Sequence, residues 1–184
     1  SGGEISGNEA GYGGGVYNLS GTFELNGGSI SGNTATNNGG GVYNNDKFIV
    51  SDGEIVTNTA ANGGGVYSIG EFTLSGGKLS NNTATLGGGV YNIGNGTFAM
   101  TDGNIVENTA GSGAGVYVNA STVEISGGNI SENRATDATE TAGGGGLFVV
   151  NGNLTVSGTA KITKNTSARY GGGLRIDGST DTST

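Results

Sequence analysis

Cysteine, proline, histidine and tryptophan are all absent from this 184-residue chain, which has a single methionine. Without cysteine there is neither a disulfide nor a thiolate-held metal. Without histidine the usual general base and metal ligand is missing. The lack of proline suits strands that have neighbours on both sides and need every N–H group. Positive charge is scarce as well: seven Lys and Arg face fifteen Asp and Glu, for a net charge of −8. That surplus repels phosphate backbones, so no nucleic-acid partner is expected. No long apolar run occurs, so no membrane span is expected in this segment. No secretory leader is visible either, but the sequence opens in mid-repeat and reads as a processed or excised piece.

What is abundant is glycine, with 42 residues against 32% hydrophobic residues, a mixture that by composition alone suggests a loop. Its phasing says otherwise. Gly-Gly-Gly-Val-Tyr recurs at Gly13–Tyr17, Gly39–Tyr43, Gly63–Tyr67 and Gly87–Tyr91, with weaker copies at Gly113–Tyr117, Gly144–Phe148 and Gly171–Arg175. Between the copies lie two further pieces. One alternates, as in Phe23-Glu24-Leu25, Phe48-Ile49-Val50 and Phe72-Thr73-Leu74; the other is Ile-x-x-Asn, as in Ile30–Asn33 and Ile55–Asn58. Alternation of period two is the mark of a strand with one buried face. Glycine pairs or Asp-Gly separate the two pieces and read as turns.

A fixed period of this size means that each repeat buries its apolar face only by stacking on its neighbours. Strand–crossover–strand connections are overwhelmingly right-handed. The expectation is therefore an all-β, right-handed parallel β-helix of about seven coils of 24–31 residues, with three short strands per coil. It forms a single domain over residues 1–176, with repeats starting near 13, 39, 63, 87, 113, 143 and 171. Residues 177–184 read as a polar C-terminal tail or a seam to a next coil. The ten residues after Leu174 and the first sixteen of the chain make a 26-residue interval, a normal coil, so stacking end to end is one expectation.

Two files of side chains follow from the winding. Asn8, Asn33, Asn58, Asn82, Asn108, Asn133 and Asn165 keep one phase with the preceding Ile or Leu and are expected to form an inward ladder of amides at one corner. Tyr17, Tyr43, Tyr67, Tyr91, Tyr117 and Phe148 follow an inward residue and should form an outward aromatic file with a spacing of about 4.8 Å. The file reads either as stacking that steadies the coils or as a contact stripe for a glycan or a neighbouring rod. Thr34, Thr59, Thr83, Thr109 and Thr166 make a third rank, interrupted by Arg134. It resembles the flat ranks of ice-binding solenoids, though β-propensity accounts for it.

The pairing of Gly14-Gly15-Val16 with Ile30-Ser31-Gly32-Asn33 resembles the repeats of chlamydial polymorphic outer membrane proteins and, more widely, of pectin-lyase-like β-helical surface proteins. In that family Gly-Gly-Ala and an apolar residue pair with Phe-x-x-Asn. Here a third glycine stands for the alanine and isoleucine for the phenylalanine, in about seven copies over nearly the whole chain. The resemblance implies a secreted, surface-displayed stalk, fibre or adhesin segment, extracellular and free of cofactors. It also raises the prospect of a carbohydrate-active enzyme, which needs clustered carboxylates. The acids here are scattered. Asp52 and Asp102 take a turn position, Glu24 and Glu124 share an outward position four coils apart, and Asp137 and Glu140 lie in the one long insertion. No catalytic or metal-binding residue is expected.

Overall fold

The computed structural model describes residues 2–178, which contain strands, turns and loops and no helix. Every strand pairs in parallel with its equivalent one coil away. Val16, Val42, Val66, Val90, Val116, Leu147 and Leu174 lie in one continuous register. The molecule is thus a parallel β-helix of about seven coils, as the repeat demands.

One coil runs as follows. Val16–Asn18 forms a short strand, Thr22–Ser31 a ten-residue strand, Asn33 turns the corner, and Thr34–Asn38 forms the third side. Three sheets result, though their boundaries differ from those read in the sequence. The Phe-x-Leu and Ile-x-x-Asn pieces are not separate strands in four of the coils. They fuse into the long strands Thr22–Ser31, Lys47–Val56, Glu71–Ser80 and Thr97–Val106. The glycine pair between them makes an irregularity in the pairing rather than a corner, with register shifts around Asn26. Gly53 and Gly103 take positive φ there (94° and 92°), which bends the strand without reversing it. The true third side follows the asparagine. It consists of Thr34–Asn38, Thr83–Leu86 and their equivalents, joined across the third coil by isolated bridges at Thr59 and Asn62.

The Gly-Gly-Gly run has a steric cause. Gly39 has φ 71°, the left-handed region that starts the strand. At Gly40 a Cβ would fall 2.5 Å from Gly64 O and 2.6 Å from Thr59 O, so only glycine lets adjacent coils approach this closely.

The core is a set of like-on-like files. Phe48, Phe72 and Phe98 are fully enclosed and stack with Phe23 at centroid spacings of 4.9–5.1 Å. Val50, Leu74 and Met100 form the next file, and Ile30, Ile55, Leu79, Ile105 and Ile130 another. The third side contributes small residues, Ala35, Ala60, Ala110, Ser112 and Ala135 among them, and the glycine run packs directly on its backbone, Gly40 against Thr59. Asp177, expected in a tail, belongs to the last strand, Leu174–Asp177, opposite Val150. The rest of the expected tail or seam lies, from residue 179 on, outside the described residues, as does Ser1.

Candidate functional site

The asparagine corner forms because the residue before it turns into the left-handed region: Thr57, Asn81, Glu107, Glu132 and Lys164 have φ of 54–58°. The turn aims the following amide inward. From Asn8 to Asn165 each asparagine donates both its backbone N–H and its side-chain Nδ2 to Oδ1 of the next one, at 2.9–3.0 Å. The second Nδ2 hydrogen goes back to a carbonyl of the preceding coil, as from Asn82 to Ile55 O at 2.9 Å. Asn33, Asn58, Asn82, Asn108 and Asn133 are completely enclosed. The structure therefore brings all seven predicted asparagines together in one ladder.

A second buried polar file went unread in the sequence. Asn18 donates to Asn44 Oδ1 at 2.8 Å, Asn44 to Ser68 Oγ at 3.0 Å, and Asn92 to Ser121 Oγ at 2.9 Å. The file then turns apolar at Val118 and Val149, which leaves Asn92 Oδ1 buried without a partner beneath Val118. Its signal was available. In Val16-Tyr17-Asn18 the valine points in, so by alternation the asparagine does too.

The six aromatic residues also form one file. Tyr17, Tyr43, Tyr67, Tyr91 and Tyr117 stack face to face at 4.8–5.2 Å, with interplanar angles of 7–19°. Phe148 closes the row edge-on at 5.3 Å. The file is less open than expected. Tyr67, Tyr91 and Phe148 retain only 8%, 6% and 3% of their surface, because each ring covers the next. Burial, and then the neighbouring phenols Tyr91, Tyr43 and Tyr12, push the Tyr67 hydroxyl up to about 12. Tyr43 and Tyr117 are raised too, chiefly by burial. At the far end the Arg175 guanidinium lies 4.6 Å from the Phe148 ring centroid and 5.1 Å from that of Tyr170. It also donates to Ala142 O and Asp177 Oδ2, and so ties the insertion to the last coil.

The carboxylates remain apart. Glu24 and Glu124 occupy one outward column with Ile49, Thr73 and Ala99 between them. Asp52 and Asp102 each accept the N–H of the following glycine at 2.8 Å, a turn role. Asp137 accepts from Thr139 N, and Glu140 pairs with Arg169 at 3.3 Å. Among the described residues no three acidic, His or Cys side chains are grouped to hold a metal. A shallow groove over Ala99, flanked by Glu71 and Glu124, and the register-aligned threonine column broken by Arg134 complete the surface. None of the described residues forms a helix that could cross a membrane. No protein-family model matches this chain, and no curated protein or solved structure does either.

Proposed function

We propose that this chain is a structural rod of the cell surface or extracellular space, serving as a stalk, fibre or adhesin segment. One observation supports the reading above all: the repeated functional groups are directed at one another. Both faces of Tyr43, Tyr67 and Tyr91 are covered by neighbouring rings, and the enclosed asparagines use their amides along the ladder. A sugar that stacks on an aromatic needs an open ring face, and inside the file there is none. Repetition here builds stiffness along one axis, which is what a spacer requires.

Antibody labelling of intact source cells is expected to place the protein outside; label confined to the cell interior would overturn the proposal. The competing reading, a glycan-binding module, is separated on a glycan array. Saturable binding that disappears in Tyr67→Ala, with the variant still folded, would favour it.

A further inference from the structure

We infer that the tyrosine file is a redox relay: an oxidising equivalent taken up by one ring passes phenol to phenol between Tyr17 and Tyr117. This adds an activity to the structural role and does not depend on it.

The first support is the inventory of oxidisable side chains. The chain has no cysteine, tryptophan or histidine, and its one methionine, Met100, is fully enclosed. The phenols are therefore the groups that yield an electron most readily, and five of the seven tyrosines stand in one file. Stacking alone does not call for the hydroxyl. The inner file of Phe23, Phe48, Phe72 and Phe98 stacks at a similar spacing without one.

The second support is geometry. Tyr17, Tyr43, Tyr67, Tyr91 and Tyr117 hold one register position in successive coils. Their centroids lie 4.8–5.2 Å apart at interplanar angles of 7–19°, so π faces meet at every step. Donor and acceptor are the same chemical group each time, so no step is steeply uphill. The file also has a defined end. Phe148 has no hydroxyl, its ring stands at 75° to Tyr117, and the Arg175 guanidinium 4.6 Å from its centroid opposes removal of an electron. The oxidising equivalent is thus confined to the five phenols.

The third support is the path of the proton, which an oxidised phenol gives up with its electron. Consecutive hydroxyls follow the inter-strand spacing of about 4.8 Å, a gap that one water bridges. Each step balances. A phenoxyl ring takes one electron from the next phenol and one proton at its oxygen, while that phenol loses both and becomes the phenoxyl. The first electron goes to a one-electron oxidant of the ferryl-haem class and its proton to water. Tyr43 and Tyr117 are half-buried and give the proton an outlet, whereas Tyr67 and Tyr91, 8% and 6% exposed, are shielded from side reactions.

The test starts the transfer on one ring and reads it on another. A ruthenium tris-bipyridyl label is attached through Asn119→Cys, on the same outward face of the strand as Tyr117. Tyr17 is replaced by ortho-aminotyrosine, whose radical is lower in energy and has its own absorbance. A flash in the presence of persulfate converts the label to Ru(III), which oxidises Tyr117. The aminotyrosyl radical should then appear at position 17, four coils or about 19 Å away. With Tyr67→Phe added, the phenoxyl signal should persist, the aminotyrosyl signal should be lost, and circular dichroism should not change. Tyr170→Phe, outside the file, should leave the transfer intact. Should the first label disturb its coil, Asn45→Cys with ortho-aminotyrosine in place of Tyr117 reads the same path in reverse. Phenoxyl that never passes to the aminotyrosine overturns the inference, and so does an aminotyrosyl signal indifferent to Tyr67→Phe.

Discussion

An amide enclosed with all its hydrogen-bonding capacity in use is costly to remove. Asn82 Oδ1 accepts two N–H groups of Asn58, and its Nδ2 serves Ile55 O and Asn108 Oδ1. Asn82→Ala strands three buried partners and should lower stability by about 3 kcal/mol or more. Asn81→Ala is exposed and loses the tolerance of asparagine for φ 55° and one long surface hydrogen bond from Nδ2 to Glu107 Oε2 at 3.5 Å, about 1 kcal/mol in all. Urea denaturation of the two variants checks this, and equal losses would mean that the ladder contributes nothing beyond the turn. The ladder was legible in the sequence because one letter kept one phase with the isoleucine. The second polar file was not, because its members run Asn, Asn, Ser, Asn and then Val along the rod. Only the alternation counted from Val16 reveals it.

At the scale of the strand and the file, sequence reading found the apolar positions and misplaced the joints. A Gly-Gly or Asp-Gly pair bends a chain, but whether it bends into a corner or a bulge depends on what the flanking residues pair with. Here both flanks pair with the same neighbouring strand, so the pieces fuse. The tyrosine file yields a pH prediction. The folded state raises the Tyr67 hydroxyl to about 12 from the ordinary value of 10.0, by burial first and by the adjacent phenols second. An acid whose folded value is raised stabilises the fold in full below pH 10, and that contribution is lost as pH climbs toward 12. Tyr43 and Tyr117 act in the same direction. Stability should therefore fall steeply above pH 10, with phenolate absorbance and loss of the β-sheet circular dichroism appearing together. Tyr67→Phe should make the fall shallower. Phenolate forming while the sheet signal is intact would mean that the rings are not shielded.

The molecule as a whole behaves as a one-dimensional array in which each coil is held by its two neighbours. Removing residues 63–86 takes out the 24 residues of one period. Phe48 then meets Phe98, Asn58 meets Asn108 and Tyr43 meets Tyr91, all in phase. That six-coil protein should fold with the same circular dichroism per residue and melt about 5 °C lower. Deleting residues 63–80 removes a fraction of a period, sets Ala84 against Val42 and Val90 against Phe48 across the break, and should abolish the cooperative transition. A normal melting curve for the second variant would show that phase between coils is not what holds the rod together.

The amino-acid sequence alone determined the winding, the number of coils and the partners along each file. A phased repeat too short to bury its own apolar face has one way to do so, which is to lie over its copy. Tertiary structure decided what the period leaves open. The tyrosines follow an inward valine and so point away from the core, yet Tyr67 and Tyr91 are covered, because the rings that enclose them arrive from residues about 25 positions away. Exposure is a property of neighbours rather than of alternation. For the same reason the fused long strand and the partnerless Asn92 oxygen emerge only when one coil is laid upon the next.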